Sequence, residues 1–128
     1  MKKMIRISSF ACLLTFFFIS SGSSAQVTTP VAHFDGNMTL TIDATATLTT
    51  EYTLDFSNMT FKDETAVKMF FRGMTDNLVH WDYDYTTKTA ILHLHTQYKT
   101  DWTTADWNTF LASNTERYRT VYTRANAE

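Results

Sequence analysis

From Met38 onward the chain alternates apolar and polar positions with a period of two. Leu40, Ile42, Ala44, Ala46 and Leu48 share one parity, continued by Tyr52, Leu54 and Phe56. Thr39, Thr41, Asp43, Thr45, Thr47, Glu51, Thr53 and Asp55 occupy the other. Side chains of a strand point to opposite faces in turn, so this pattern predicts half-buried strand. A single strand of that length would exceed the usual size. The stretch therefore reads as two strands, 38–47 and 51–57, with the turn between Asp43 and Glu51. Next, Ala66, Val67, Phe70, Phe71 and Met74 recur at helical spacing. Thr60 is the expected cap, Asp63 and Glu64 fall in the first turn where the helix dipole favours acids, and Gly73 suits the end. Two further apolar runs flank Thr86-Thr87-Lys88-Thr89 and read as a β-hairpin. A last helical region begins near Thr103 or Thr104 and presents Trp107, Phe110 and Leu111. Tyr118, Val121 and Tyr122 continue it beyond a weak point at Ser113-Asn114-Thr115.

The expected order is thus ββαββα. The fold class that follows is α+β and ferredoxin-like, a four-stranded antiparallel sheet with two helices on one face. Its fourth strand, 38–47, is expected beside 51–57 and antiparallel to it. Residues 26–37 hold the only proline and read as a loosely ordered lead-in. A single domain then spans 38–124, with 125–128 as a tail.

Upstream, Lys2, Lys3 and Arg6 precede a short apolar run from Phe10 to Ile19, and small residues end at Ala25. This is the layout of a secretory signal peptide at 1–25, cleaved before Gln26, and its apolar run is too short to span a membrane. The expected address is secreted or periplasmic, with no membrane span after cleavage. Of the 11 Lys and Arg, three leave with the signal while all 13 Asp and Glu remain, which makes the mature chain about five charges negative. An acidic chain lacks the basic patch that nucleic-acid binding requires. Cys12 is the only cysteine and leaves too, which excludes disulfides and thiolate chemistry from the mature domain.

The stretch from Thr53 to Leu111 resembles the heavy-metal-associated domain of copper chaperones and metal-pumping ATPases. Asn58-Met59-Thr60 is similar to that family's Gly-Met-Thr lead-in, followed by a helix and a hairpin, with 79–91 laid out like its middle strands. The resemblance implies the ferredoxin-like fold. At the family's two metal-binding cysteines this chain has Phe61 and Glu64, so the metal-loop function is not implied.

The candidate chemistry lies in the hairpin. Pairing Tyr85 with Ala90, Tyr83 with Leu92 and Trp81 with Leu94 puts the bulky apolar groups on one face. The other face then sets His80 opposite His95 and Asp82 opposite His93, three imidazoles and a carboxylate in reach of one Zn²⁺ or Cu²⁺ ion. The competing reading is a solvated sheet face, which His, Asp and Thr serve equally. Ser57 and Ser113 lack any nucleophile setting, and Asp82 with Asp84 has no surroundings that would raise one pKa. The expectation is therefore a non-enzymatic binding domain without a resident cofactor. It would act through the polar sheet face or an edge strand, toward a protein partner or a second copy. A histidine-based Zn or Cu binder using His80, Asp82, His93 and His95 is the alternative.

Overall fold

The computed structural model describes residues 30–127, so the expected signal peptide lies outside the described part. Five strands and three helices follow in order: β1 (Val31–Phe34), β2 (Leu40–Ile42), β3 (Glu51–Asp55), α1 (Glu64–Gly73), β4 (Val79–Asp84), β5 (Thr89–Leu94), α2 (Thr104–Ser113) and α3 (Thr115–Asn126), with one 3-10 turn at Thr96–Tyr98. The class is α+β, as the periodicities predict. The sheet itself is five-stranded and mixed, in the order β2-β1-β3-β5-β4, rather than four-stranded and antiparallel.

The difference arises at the start of the chain. Val31–Phe34, within the segment expected to be loosely ordered, forms β1 and takes the place beside β3, in parallel, with Ala32 opposite Leu54. The strand expected at 38–47 is only three residues long, and pairs with β1. An Asp35 turn makes that hairpin: its carboxylate accepts the N–H groups of Asn37 and Thr39 at 2.8 and 3.0 Å. Met38 takes a left-handed φ of 67° to complete it. Beyond Ile42 the alternation persists without a strand, because Asp43 accepts the Thr45 N–H and hydroxyl and bends the chain away.

The remaining departures concern the helices. Asp63, rather than Thr60, caps α1 by accepting the Ala66 N–H. Gly73 does not adopt a positive φ. It lies at the close approach of α1 to α3, where a Cβ would stand 2.6 Å from Val121 Cγ1. The weak point at Ser113-Asn114-Thr115 becomes a break, so two C-terminal helices form where one was expected. α2 starts with a reciprocal cap between Thr103 and Asp106. α3 runs on to Asn126 and buries Ala125, which belongs to the core rather than to a tail.

The core lies between the sheet and the helices. Ala32, Leu40, Ile42, Tyr52, Leu54 and Phe56 enter it from the first three strands and their margins, and Val79, Trp81, Ala90, Leu92 and Leu94 from the last two. Phe70, Phe71, Trp107, Leu111 and Tyr118 meet them from the helices. The other sheet face carries Glu51, Thr53, Asp82, His80, Ile91 and His93, all partly or fully exposed. Among the described residues no helix is long and apolar enough to cross a membrane.

Candidate functional site

β4 and β5 carry the candidate residues on their polar face, and their turn sets the register. Asp84 caps it, accepting the N–H groups of Thr86 and Thr87 at 2.9 and 3.3 Å. The Asp84 carbonyl accepts the Lys88 N–H at 3.0 Å. Lys88 has a left-handed φ of 60° and lays its ammonium 3.4 Å from the Tyr85 ring centroid. The loop is therefore 85–88, one residue earlier than predicted, which slides the register by two. His80 pairs with His93, Asp82 with Ile91 and Trp81 with Leu92. His80 is not opposite His95, nor Asp82 opposite His93. A slip of two leaves every side chain on its expected face.

The structure nonetheless brings all four predicted residues together. The rings of His80 and His93 stack in parallel with centroids 4.3 Å apart. His93 Nε2 lies 2.8 Å from Asp82 Oδ2, and His93 Nδ1 3.7 Å from Glu51 Oε2. His95, just past β5, places Nε2 at 2.6 Å from His80 Nδ1 and Nδ1 at 2.7 Å from the Asn77 carbonyl oxygen. The remaining histidine, His33, lies on β1 and outside this group.

These contacts assign the tautomers of the neutral rings. A carbonyl only accepts, so His95 Nδ1 carries its proton and His95 Nε2 holds a lone pair. His80 Nδ1–H therefore donates to His95 Nε2, and His80 Nε2 is left bare. This is the arrangement that orients a metal-ligating histidine, one ring nitrogen held by a fixed acceptor and the other available. Burial pushes the His80 pKa below its ordinary value, with His93 and His95 adding to the effect and Asp82 opposing it. The neutral imidazole that metals require is thereby favoured.

Position follows from the turn at 74–79. Asp76 Oδ1 accepts the N–H groups of Leu78 and Val79 at 2.8 and 3.1 Å. Arg117 of α3 holds the same loop by donating to Asp76 Oδ2 at 2.8 Å and to the Gly73 carbonyl at 2.9 Å. The Asn77 carbonyl is thus fixed where His95 needs it. One ligand atom each from His80, Asp82 and His93 falls within a mutual 4.8 Å. Two ligands of one zinc ion lie at most about 4.2 Å apart, so small side-chain rotations close the set. His95 belongs behind His80 and not in the ligand set.

Sequence reasoning missed Glu51, Asn77 and Arg117. Parity does place Glu51 on the polar face, but only the β3–β5 register sets it opposite His93. Asn77 acts through its carbonyl, for which no side-chain signal exists. At the two positions that the resemblance set against metal-binding cysteines, Phe61 packs its ring against Phe56, Phe70 and Tyr122, and Glu64 opens α1. No family model, curated protein or solved structure matches this chain in the comparisons with known proteins.

Proposed function

We propose that the chain is an exported, non-enzymatic binding domain whose polar sheet face takes up a divalent transition-metal ion. His80, His93 and Asp82 would be the ligands and His95 the group that orients His80. Two imidazoles and a carboxylate suit Zn²⁺ or Cu²⁺, and solvent would complete the coordination. The observation that carries this reading is the chain of hydrogen bonds from the Asn77 carbonyl through His95 to His80. A merely solvated sheet face has no need of a second ring held in one tautomer behind the first. The resemblance to heavy-metal-associated domains contributes only a fold expectation here, because Phe61 and Glu64 replace its ligands.

The test is calorimetric titration of Zn²⁺ and Cu²⁺ into the purified chain and into His80→Ala and Asp82→Asn variants. One ion per chain at micromolar affinity or tighter, lost in His80→Ala, is the expected result. Heat no larger in the parent than in His80→Ala would overturn the reading and leave a solvated face.

A further inference from the structure

Of the two proposed histidine ligands, His80 is oriented by His95, whereas His93 stands between two acids. Its Nε2 lies 2.8 Å from Asp82 Oδ2 and its Nδ1 3.7 Å from Glu51 Oε2. The second contact is built into the sheet. Where β3 begins, the Leu94 N–H donates to the Thr50 carbonyl at 2.8 Å. The next pair along, Glu51 and His93, is therefore of the kind that exchanges no backbone hydrogen bonds. In such pairs the opposed side chains come closest. Among the described residues the Glu51 carboxylate has no other ion-pair partner, and at 60% exposure it is free to close on the ring.

An ion changes what His93 needs. A carboxylate only accepts, so in the neutral, metal-free ring Nε2 carries the proton toward Asp82 and Nδ1 is bare. A metal takes the lone pair of Nε2 instead. The Nε2–H bond breaks to solvent, a proton is gained at Nδ1, and the ring stays neutral. That new N–H points at Glu51. We infer that Glu51 is the positioning residue of His93, the acceptor that holds Nδ1–H and so turns the Nε2 lone pair to the ion. This rests on the metal reading proposed above and deepens it. Both imidazoles then have an outer acceptor, His95 for His80 and Glu51 for His93, which is what fixes ring orientation and raises ligand basicity in metal sites. Glu51 itself stands outside the ligand set. It meets the far nitrogen of the ring, and the ligand atoms that fall within a mutual 4.8 Å come from His80, Asp82 and His93.

The experiment is calorimetric titration of Zn²⁺ into the full purified chain, Glu51→Ala and Glu51→Gln, with NMR of the imidazole nitrogens before and after loading. The zinc-loaded parent should carry the His93 proton on Nδ1, hydrogen-bonded, with Nε2 on the metal. Glu51→Ala should keep one ion per chain and bind it about 10–100-fold more weakly, the usual loss for an outer-shell partner. Glu51→Gln keeps an acceptor oxygen and loses only the charge, so it should lie within about fivefold of the parent. Equal affinity in the parent and Glu51→Ala overturns the role of Glu51 and leaves the metal reading standing. Glu51→Gln as weak as Glu51→Ala also overturns it, because charge rather than an accepted hydrogen bond would then be at work. Complete loss of uptake in Glu51→Ala would make Glu51 a ligand, against the inference. A parent that gives no more heat than His80→Ala overturns both readings.

Discussion

His80 Nδ1 stands 2.6 Å from His95 Nε2, and this contact determines which nitrogen of His80 faces outward. His95 is anchored in turn by a main-chain carbonyl, so its ring cannot take the opposite tautomer without losing a bond. The pair works as a ligand and its support. Substituting each of the two should therefore have unequal effects.

Replacing His95 with Phe should leave zinc stoichiometry at one per chain and weaken binding by about 10–100-fold, the usual cost of losing an outer-shell partner. His80→Ala should abolish the site. Calorimetry of both variants separates these roles, and equal losses would place His95 among the ligands.

Arg117 should matter at a distance. Its two donors join α3 to the loop that carries Asn77, and both members of the ion pair are about one-third exposed. After discounting for solvent screening, Arg117→Ala should cost about 1–2 kcal/mol of stability. Arg117→Lys should not restore it, since one ammonium cannot reproduce the two-pronged geometry. Hydrogen exchange at Leu78 and Val79 should quicken in both variants. Unchanged protection there would show that Asp76 holds the loop alone.

Gly73→Ala is expected to destabilise by about 1–2 kcal/mol, because a Cβ 2.6 Å from Val121 Cγ1 must displace a stiff, β-branched side chain. Alanine's better helix propensity, about 1 kcal/mol, offsets part of this. In a Val121→Ala background the clash is gone, and Gly73→Ala should become neutral or stabilising. Denaturant unfolding of the four proteins reads the coupling directly; additive effects would remove the steric explanation.

Metal-free stability should rise with pH across two windows. His80 is held below 6.5 by burial, then by His93 and His95, so beneath that value the unfolded chain binds the extra proton. Its contribution is complete above about 6.5 and is lost as pH falls through the lower folded value. Asp35, Asp43 and Asp55 are each lowered from 3.8. The donors are, respectively, the Thr39 and Asn37 N–H groups, the Thr45 hydroxyl and N–H, and the Ser57 N–H and hydroxyl. Their contribution is present above 3.8 and is lost at more acid pH. Unfolding midpoints at pH 7.5, 6 and 5 should fall in that order, and His80→Gln should flatten the trend. An equally steep trend in His80→Gln would assign it to another group.

Period-two parity in the sequence was enough to assign faces. Tyr52, Leu54, Trp81, Leu92 and Leu94 are buried as their positions require, while His80, Asp82 and His93 share the opposite side. Helical spacing likewise located α1, and marked the weak point at Ser113-Asn114-Thr115 where α2 and α3 separate, although a single helix was expected there. Such patterns record which residues lose contact with water, and that record is identical for any two registers that differ by an even number of residues. The turn chosen by Asp84 decided between them, and so decided that His80 stacks on His93. The place of β1 was set by the Asp35 hairpin and by a parallel contact with β3, distant in the chain and invisible to local periodicity. Asn77 meets His95 through a main-chain carbonyl, and Arg117 fixes that loop from α3. The sequence by itself determined which side chains could meet on one face. The folded backbone decided which of them touch, because hydrogen bonds of turns and long-range strand pairing exist only once the chain is assembled.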